Sequence, residues 1–494
     1  MRSPLGRVGQ AGTGPPHPSD ECDDTGVGAS DPMAGSLPGR LRWGRPAREP
    51  MLSAMSAPRP VSPAEAAARL HPVDRLGIPL GPGQPRSFLH ALGERDDWED
   101  LAVFGALLVD LFPIFAKPGV RLRSGFFGPA ERALRAAGHA VEFVPADFRR
   151  FSEIAERFAP RVVATAAAPP DADGRLSLSL HAGATVGEIH AAAKDPERLL
   201  VVETSPHLPR TLGVPPDHPH SVALDDVDVW IEGDATPTEL PDNPAGPVEE
   251  AIAGHVAAFI PEGATLQTGI GGIPNAVVAV LAEGTSGSYG VHSEMFTTGL
   301  MRLHEAGKVT NEKGVFDSVS ITTFAMGDRA LYDWLDGNEA VRFLPADVVN
   351  DPAVIARNRG MISINGALSV DLLGQVVSDS LGGVQHSGIG GHEDFLAGAG
   401  RIAEGRSLLC LPSTAKIDGA ARSRIVSELP ARSIVTSPRH QVDVVVTEHG
   451  AAELAGRTVG ERARALAEIA APDERDVLRA AAAEIDRRGV LPSG

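Results

Sequence analysis

Short apolar runs alternate along most of the chain with stretches in which apolar residues recur at helical spacing. The short apolar runs predict buried β-strands. The stretches with helical spacing predict amphipathic helices, because that spacing places the apolar residues on one face. A first helix is predicted to begin at Pro63. Strands are predicted at Leu101–Leu108, Val141–Val144, Val162–Ala166 and Leu199–Glu203, and further helices at Pro129–Ala137 and Phe151–Phe158. This alternation favours an α/β fold with a largely parallel sheet.

A stretch rich in proline and acidic residues, Gly233 to Pro247, interrupts this alternation and predicts a domain boundary. The same pattern then begins again. It predicts a helix at Val248–Phe259, a strand at Ala264–Thr268, a helix at Pro274–Ala282, a strand at Tyr289–His292 and one or two helices between Val459 and Arg488. We therefore predict two open, mostly parallel-sheet α/β domains, residues 61–245 and 246–494, with the active site in the cleft between them.

Residues 1–60 are rich in Gly, Pro, Ser and Asp and show no hydrophobic period. Such a segment cannot bury enough apolar surface to offset the entropy lost on ordering. We predict a disordered tail or an extension from an early start site, with Met51 or Met55 as the alternative first residue.

Charge and cysteine content narrow the possible functions. The 494 residues carry a formal net charge of −19, whereas a nucleic-acid-binding protein needs a basic face. An anionic ligand must therefore be held by local backbone dipoles and a few cations. The two cysteines, Cys22 and Cys410, form no disulfide framework and no zinc motif, and no apolar run is long enough to cross a bilayer. We expect a cytoplasmic protein without nucleic-acid or membrane partners.

The first candidate motif is the glycine-rich loop from Thr268 to Pro274, which follows a predicted strand and opens a predicted helix. Free backbone N–H groups in such a loop can bind a phosphate or a developing oxyanion. An ordinary tight turn between strand and helix explains the same residues. A dinucleotide-binding motif is disfavoured because the GxGxxG spacing is missing.

The second candidate is Glu294, which follows the strand after this loop's helix. Consecutive parallel strands end at the same edge of a sheet, so we expect the Glu294 carboxylate and the loop N–H groups to face one crevice. An ordinary glutamate pKa of about 4.3 would keep Glu294 ionised, as a nucleophile requires. A solvated glutamate at a strand end is the alternative.

A second glycine-rich loop runs from Ser387 to Phe395 and contains His392, Glu393 and Asp394. These three side chains could suggest a metal site. However, consecutive residues rarely converge on one ion and no matching ligand cluster occurs elsewhere, so we predict no metal.

The last candidate, Lys416, follows an apolar strand and small polar residues in a chain with few lysines. It could pair with a phosphate, or it could be a solvated surface lysine.

Several ordered sequence blocks resemble the acetyl-CoA hydrolase/transferase family, which includes 4-hydroxybutyrate CoA-transferase and succinyl-CoA:acetate CoA-transferase. The similarity extends from about Leu76 to Leu478. The first half contributes Gly81-Pro-Gly-Gln-Pro, Arg123-Ser-Gly-Phe-Phe-Gly and Pro206-His-Leu-Pro-Arg-Thr-Leu-Gly. The second half contributes Ile260-Pro-Glu-Gly-Ala-Thr-Leu-Gln-Thr-Gly-Ile-Gly, Gly290-Val-His-Ser-Glu-Met, Asn350-Asp-Pro-Ala-Val-Ile-Ala, Ile364-Asn-Gly-Ala-Leu-Ser-Val-Asp-Leu-Leu-Gly-Gln-Val and Val446-Thr-Glu-His-Gly.

The resemblance implies a CoA-transferase-like fold in which Glu294 is the catalytic glutamate and forms a glutamyl-CoA thioester. It implies that the backbone N–H groups of Ile270 and Gly391 form the oxyanion hole. The residues that it implies for CoA binding are Thr268, Gly269, Ile270, Gly271, Gly272, Asn350, Ala367, Ser387, Gly391 and Lys416.

The reaction implied is CoA transfer between a short-chain acyl-CoA and a carboxylate, with no permanently bound cofactor. Acyl-CoA hydrolysis through the same glutamate is the enzymatic alternative, and CoA binding without turnover is the non-enzymatic one. The family also implies a homo-oligomer, commonly a dimer. The chain departs from many relatives in having His392-Glu393 after the second glycine pair, so we expect this position to affect acyl specificity and the balance towards water.

Overall fold

The computed structural model describes residues 58–240, 244–417 and 419–488. Apart from residues 58–60, the predicted N-terminal tail lies outside the described residues. None of the helices in these three ranges is both long enough and apolar enough to span a membrane.

The first large sheet is built entirely from strands that precede residue 233. Its seven strands run parallel in the order β4-β3-β2-β1-β5-β7-β9. The strands of this half are β1 Val73–Leu80, β2 Asp100–Ala106, β3 Val120–Ser124, β4 Val141–Phe143, β5 Val162–Ala167, β6 Arg175–Ser177, β7 Leu199–Thr204, β8 Ser221–Ala223 and β9 Val229–Glu232. Its helices are α1 Pro63–Ala67, α2 Arg86–Gly93, α3 Pro129–Ala136, α4 Phe151–Phe158 and α5 Val186–Ala192.

All four strands predicted in this half are confirmed, as are the three helices. The continuous apolar run of β5 also fits its burial. All six of its residues are buried, as expected for a parallel sheet that is covered on both faces. Strands β1 and β3 were not predicted, because Asp74 and Arg75 interrupt the first and two arginines alternate with apolar residues in the second.

The second large sheet has six strands in the order β11-β10-β16-β21-β25-β26, parallel except for the final β25–β26 pair. Its strands are β10 Thr265–Thr268, β11 Gly290–Val291, β16 Met361–Gly366, β21 Arg406–Cys410, β25 Val444–Thr447 and β26 Gly450–Glu453. The helices of this half are α6 Pro247–Ala257, α7 Gly272–Glu283, α8 Thr298–Glu305, α9 Arg329–Leu335, α10 Ala346–Val349, α11 Pro352–Ile355, α12 His392–Ala399, α13 Val459–Glu468 and α14 Arg475–Arg488.

Short strands complete the second half. They are β12 Met295–Phe296, β13 Ser320–Thr322, β14 Phe324–Ala325, β15 Val341–Phe343, β17 Ser369–Asp371, β18 Val376–Val377, β19 Ser380–Leu381, β20 Val384–Gln385, β22 Thr414–Ile417, β23 Ala420–Ser423 and β24 Ile425–Val426. The predicted α/β fold is confirmed. The boundary near residue 245 stays a prediction, supported by the fact that each large sheet takes its strands from one side of it.

The succession β10–α7–β11 sets the geometry of the site. Strands β10 and β11 pair in parallel, with Thr265 opposite Gly290, so both strands end at the same edge of the sheet. The glycine-rich loop leaves β10 at this edge, and Glu294 follows β11 there. The placement expected for these two motifs is confirmed.

Candidate active site

Both glycine-rich loops and Glu294 line one cavity of about 430 Å³. The first loop contributes Thr268, Gly269 and Ile270, and the second loop contributes residues 388–392 and Phe395. The second loop also contacts the first half of the chain, since the Phe148 N–H donates to the Gly390 carbonyl at 3.1 Å. Residues of both halves line the cavity. Glu294 is the one carboxylate among the described residues that line it.

Hydrogen bonds on both sides hold the backbone around Glu294. The Glu294 carbonyl oxygen accepts from the Thr323 N–H at 3.0 Å and from the Thr322 hydroxyl at 2.9 Å. The neighbouring Ser293 hydroxyl donates to the Thr268 carbonyl at 3.0 Å. This last bond links the segment that carries the carboxylate directly to the first glycine-rich loop.

Two donors reach the Glu294 carboxylate. The Asn350 side-chain amide, at the end of α10, donates to Oε2 at 2.7 Å, and the Gly391 backbone N–H also donates to the carboxylate. A Cβ atom at Gly391 would overlap both Glu294 Oε2 and Asn350 Nδ2. Glycine at residue 391 is therefore required for the close approach of the second loop to the carboxylate.

Burial raises the pKa of Glu294 to about 8, and the charge of Asp394 adds to this rise, while the bonds from Asn350 and Gly391 oppose it. The expectation of an ordinary glutamate pKa was wrong, because the sequence does not show how far the cavity excludes water. Once such a carboxyl group loses its proton, the resulting carboxylate has little solvation and is a stronger nucleophile.

Two further carboxyl groups, those of Asp394 and Glu393, lie near Glu294 in sequence-distant helix α12. Asp394 is fully buried, pairs with the Arg149 guanidinium and accepts from Asn350 Nδ2 at 3.2 Å. Burial raises the pKa of both Asp394 and Glu393 to about 7. Within residues 58–240, 244–417 and 419–488, no group of three or more His, Cys, Asp or Glu side chains could hold a metal ion.

His392 lines the cavity, but its ring is already engaged. Its Nε2 lies 2.8 Å from the Ser437 hydroxyl, and that hydroxyl donates to Glu393. Burial lowers the pKa of His392 to about 4, so the ring is neutral near pH 7.

The first glycine-rich loop is open where the second is closely packed. The N–H groups of Gly269 and Ile270 make no hydrogen bond to the described residues, and the buried Thr268 hydroxyl has no partner among them. Ile270 is 51% exposed, and Gly271 has a φ of 120°, a conformation that favours glycine. This loop presents unused hydrogen-bonding groups to the cavity.

Of the other residues predicted to bind CoA, some line a cavity and others do not. Ala367 lines a second cavity of about 280 Å³, which shares Ile270, Asn365 and Gly366 with the first. Ser387 precedes the cavity-lining Gly388 but lines neither cavity, and Lys416, which is exposed in the β22–β23 hairpin, does not line either of them.

Sequence reasoning missed three features of the site. Arg424 lines the second cavity, and only its position before a short apolar pair could have signalled it. The Arg149–Asp394 pair joins residues 245 positions apart. The phenylalanines of the cavity wall were not singled out as site residues.

The chain is similar to known proteins in both sequence and fold. Residues 327–482 match the acetyl-CoA hydrolase/transferase C-terminal domain. The chain is 36% identical over 431 residues to succinyl-CoA:cyclohexane-1-carboxylate CoA transferase of Geobacter metallireducens, covering 86% of this chain and 95% of that protein. It is 41% identical over 288 residues to 4-hydroxybutyrate coenzyme A transferase of Clostridium kluyveri, covering 58% of this chain and 65% of that one. Among solved structures, RipA from Yersinia pestis superposes with a TM-score of 0.79 at 31% identity, covering 86% of this chain and 97% of RipA.

Proposed function

Because the chain belongs to the acetyl-CoA hydrolase/transferase family, we propose that it is an acyl-CoA:carboxylate CoA-transferase in which Glu294 is the nucleophile. The observation that carries the proposal is the position of the Glu294 carboxylate, on the cavity wall between the two glycine-rich loops. A buried carboxylate with a raised pKa in a cleft is a strong candidate for a catalytic group.

In the first half-reaction, the Glu294 carboxylate attacks the thioester carbonyl, the C–S bond breaks and CoA leaves as a thiolate. The product on the enzyme is a mixed anhydride between the acyl group and Glu294. The CoA thiolate then attacks the glutamyl carbonyl of this anhydride, which releases the acyl group as a free carboxylate and leaves a glutamyl-CoA thioester.

In the second half-reaction, the acceptor carboxylate attacks the glutamyl thioester and again displaces the CoA thiolate. The thiolate attacks the acceptor's carbonyl in the new anhydride, which gives the new acyl-CoA and restores the Glu294 carboxylate. Each carbonyl addition generates an oxyanion. As the resemblance to the family implies, the N–H groups of Ile270 and Gly391 would donate to this oxyanion, and removing one such donor typically lowers the rate by about 10²–10³-fold.

The groups around the first loop support a CoA site that continues into the second cavity. Free N–H groups of the loop can hold the pantetheine or a phosphate, and Arg424 brings a positive charge to a protein with a large negative net charge. Binding the remote nucleotide end in this way would provide energy that is used at the reacting carbonyl.

Trapping the intermediate tests the proposal. The enzyme is incubated with an acyl-CoA and then treated with borohydride, which reduces a glutamyl-CoA thioester, and the Glu294 peptide is analysed by mass spectrometry. We expect a reduced Glu294 only after incubation with acyl-CoA and none in Glu294→Gln. Glu283→Gln, at the exposed end of α7, is the matched control and should be trapped as the natural chain is. Turnover without any adduct at Glu294 would refute the mechanism.

Hydrolysis is the second candidate, because the matched family includes hydrolases and the same anhydride could react with water. Acyl-CoA loss is measured with and without acetate or succinate. A transferase requires the acceptor, whereas loss at the same rate without an acceptor would assign the enzyme to hydrolysis. Binding of CoA without any acyl-CoA loss would leave only the CoA-binding alternative.

A further inference from the structure

We propose that the cavity beyond Glu294 is an acyl subsite for apolar monocarboxylic acids bulkier than acetate, and that it discriminates against dicarboxylic acids. The inference rests on the proposed CoA-transferase function and specifies its substrate class.

Four buried phenylalanines, Phe104, Phe148, Phe151 and Phe324, form a continuous aromatic wall along this part of the cavity. Successive ring centroids lie 6.1 Å apart for Phe104 and Phe151, 6.2 Å for Phe151 and Phe148, and 6.4 Å for Phe148 and Phe324. These separations are typical of packed aromatic pairs. An acyl chain that enters past Glu294 therefore contacts ring faces and edges on one side.

Other apolar side chains also line the cavity, among them Ile78, Leu80 and Met326. Space for an acyl group remains because Ala106 and Ala184 are small residues on the same wall. Pockets with such linings gain affinity with each methylene that the ligand buries.

The subsite offers no cation for a second carboxylate. Among the cavity-lining residues that the structure describes, none is Lys or Arg. The nearby Arg149 already pairs with the carboxylates of Asp147 and Asp394. Burying a carboxylate without a partner is strongly unfavourable, so a dicarboxylic acid is poorly accommodated.

Among the described first-half residues that line the cavity, His181 is the one titratable side chain, and it is uncharged. It is fully buried, and burial lowers its pKa to about 3. Its Nε2 lies 3.3 Å from the Thr185 hydroxyl. A neutral imidazole cannot balance the charge of a distal carboxylate, so it does not alter the predicted preference.

A matched set of donors tests the substrate class. Acetyl-, succinyl- and 4-methylpentanoyl-CoA are compared with propionate as the common acceptor, and propionyl-CoA is quantified. In 4-methylpentanoyl-CoA an isopropyl group replaces the terminal carboxylate of succinyl-CoA, so the two donors differ mainly in charge. We expect its kcat/KM to exceed that of acetyl-CoA by about tenfold or more and that of succinyl-CoA by about a hundredfold or more.

A matched pair of variants locates the subsite. Ala106 shares the cavity-facing side of β2 with Phe104, since alternate strand residues point the same way. Ala106→Leu should lower kcat/KM for 4-methylpentanoyl-CoA by about tenfold and leave that for acetyl-CoA within about twofold. The control is Ala146→Leu, because Ala146 packs against the same phenylalanine cluster without lining the cavity. It should leave both values unchanged.

Three outcomes overturn the inference: a preference for succinyl-CoA over its apolar isostere, a preference for acetyl-CoA, or equal losses for both donors in Ala106→Leu. Failure of the proposed function looks different, because then no donor gives propionyl-CoA and no adduct forms at Glu294. The two failures can therefore be told apart in one set of assays.

Discussion

The tetrapeptide Gly-Ile-Gly-Gly occurs twice in the chain, at residues 269–272 and 388–391, each time just before or at the start of a helix. Both copies contain a glycine with positive φ, Gly271 at 120° and Gly390 at 57°. What surrounds them differs. A Cβ atom at Gly269 would meet nothing within 4 Å, whereas one at Gly388 would lie 2.7 Å from the Gly125 carbonyl oxygen.

The difference shows that two loops with the same sequence can differ in packing, one facing open space and the other packed against protein atoms. The first loop has open space beside Gly269, and the N–H groups of Gly269 and Ile270 remain available to a ligand. The second loop uses its glycines to approach protein groups closely, including the Glu294 carboxylate. In the proposed mechanism, the first loop binds the substrate and the second loop positions the Glu294 carboxylate that attacks it.

The largest effect is expected from Gly391→Ala. The new methyl group overlaps Glu294 Oε2 and Asn350 Nδ2, so the carboxylate must move. A displacement of about 1 Å at a reacting group can cost about 10²-fold in rate, and we expect kcat to fall by at least that factor. Steady-state kinetics alongside circular dichroism would measure it. An unchanged kcat in a folded variant would remove the proposed role of the second loop.

A smaller effect, with a distinct pH signature, is expected from Asn350→Asp. In the proposed mechanism Glu294 acts as an anion, and burial raises its pKa to about 8, so kcat/KM of the natural chain should rise with pH up to about pH 8. The substitution replaces a hydrogen-bond donor with a negative charge. Both changes disfavour ionised Glu294, so the rise should move to higher pH and activity at pH 7 should fall about tenfold.

The control for this pH shift is Asn365→Asp. Asn365 also lines the cavity, but its amide donates to Ser363 and Gln267. A pH profile that moves equally in both variants would mean that the contact between Asn350 and Glu294 does not set the Glu294 pKa.

The smallest effect is expected from Gly269→Ala in the first loop. Its added methyl group meets open space, so the free energy of unfolding should stay within about 0.5 kcal/mol of the natural value. If CoA lies against this loop, KM for acyl-CoA should rise several-fold while kcat changes little. Denaturant unfolding and steady-state kinetics measure the two quantities. A large loss of stability would show that the two loops are packed alike after all.

Much of the fold followed from local patterns. Helix α4 was predicted with its observed bounds, Phe151–Phe158, because its apolar residues recur at helical spacing. The meeting of the first glycine-rich loop with Glu294 also followed, from the rule that parallel strands linked by a helix end at one edge. Strand β1 was missed because charged residues interrupt it.

The properties of the site were harder to predict from the sequence than the fold was. The Glu294 pKa depends on how completely distant segments exclude water, and no local pattern reports that. Phe151 was predicted as a helical residue, yet its position on the cavity wall depends on the packing of α4 against Phe104 and Phe148. The absence of Lys416 from the lining of both cavities likewise depends on the β22–β23 hairpin.

The sequence by itself determined the α/β architecture, the positions of the two glycine-rich loops and the edge of the sheet at which Glu294 lies, because backbone geometry and hydrophobic periodicity act over a few neighbouring residues. The tertiary structure alone decided which loop is open, how strongly the Glu294 carboxylate is desolvated and which side chains line the acyl subsite. Steric exclusion and desolvation are produced by residues that are far apart in the chain, as Arg149 and Asp394 are, and they exist only once those residues have packed together.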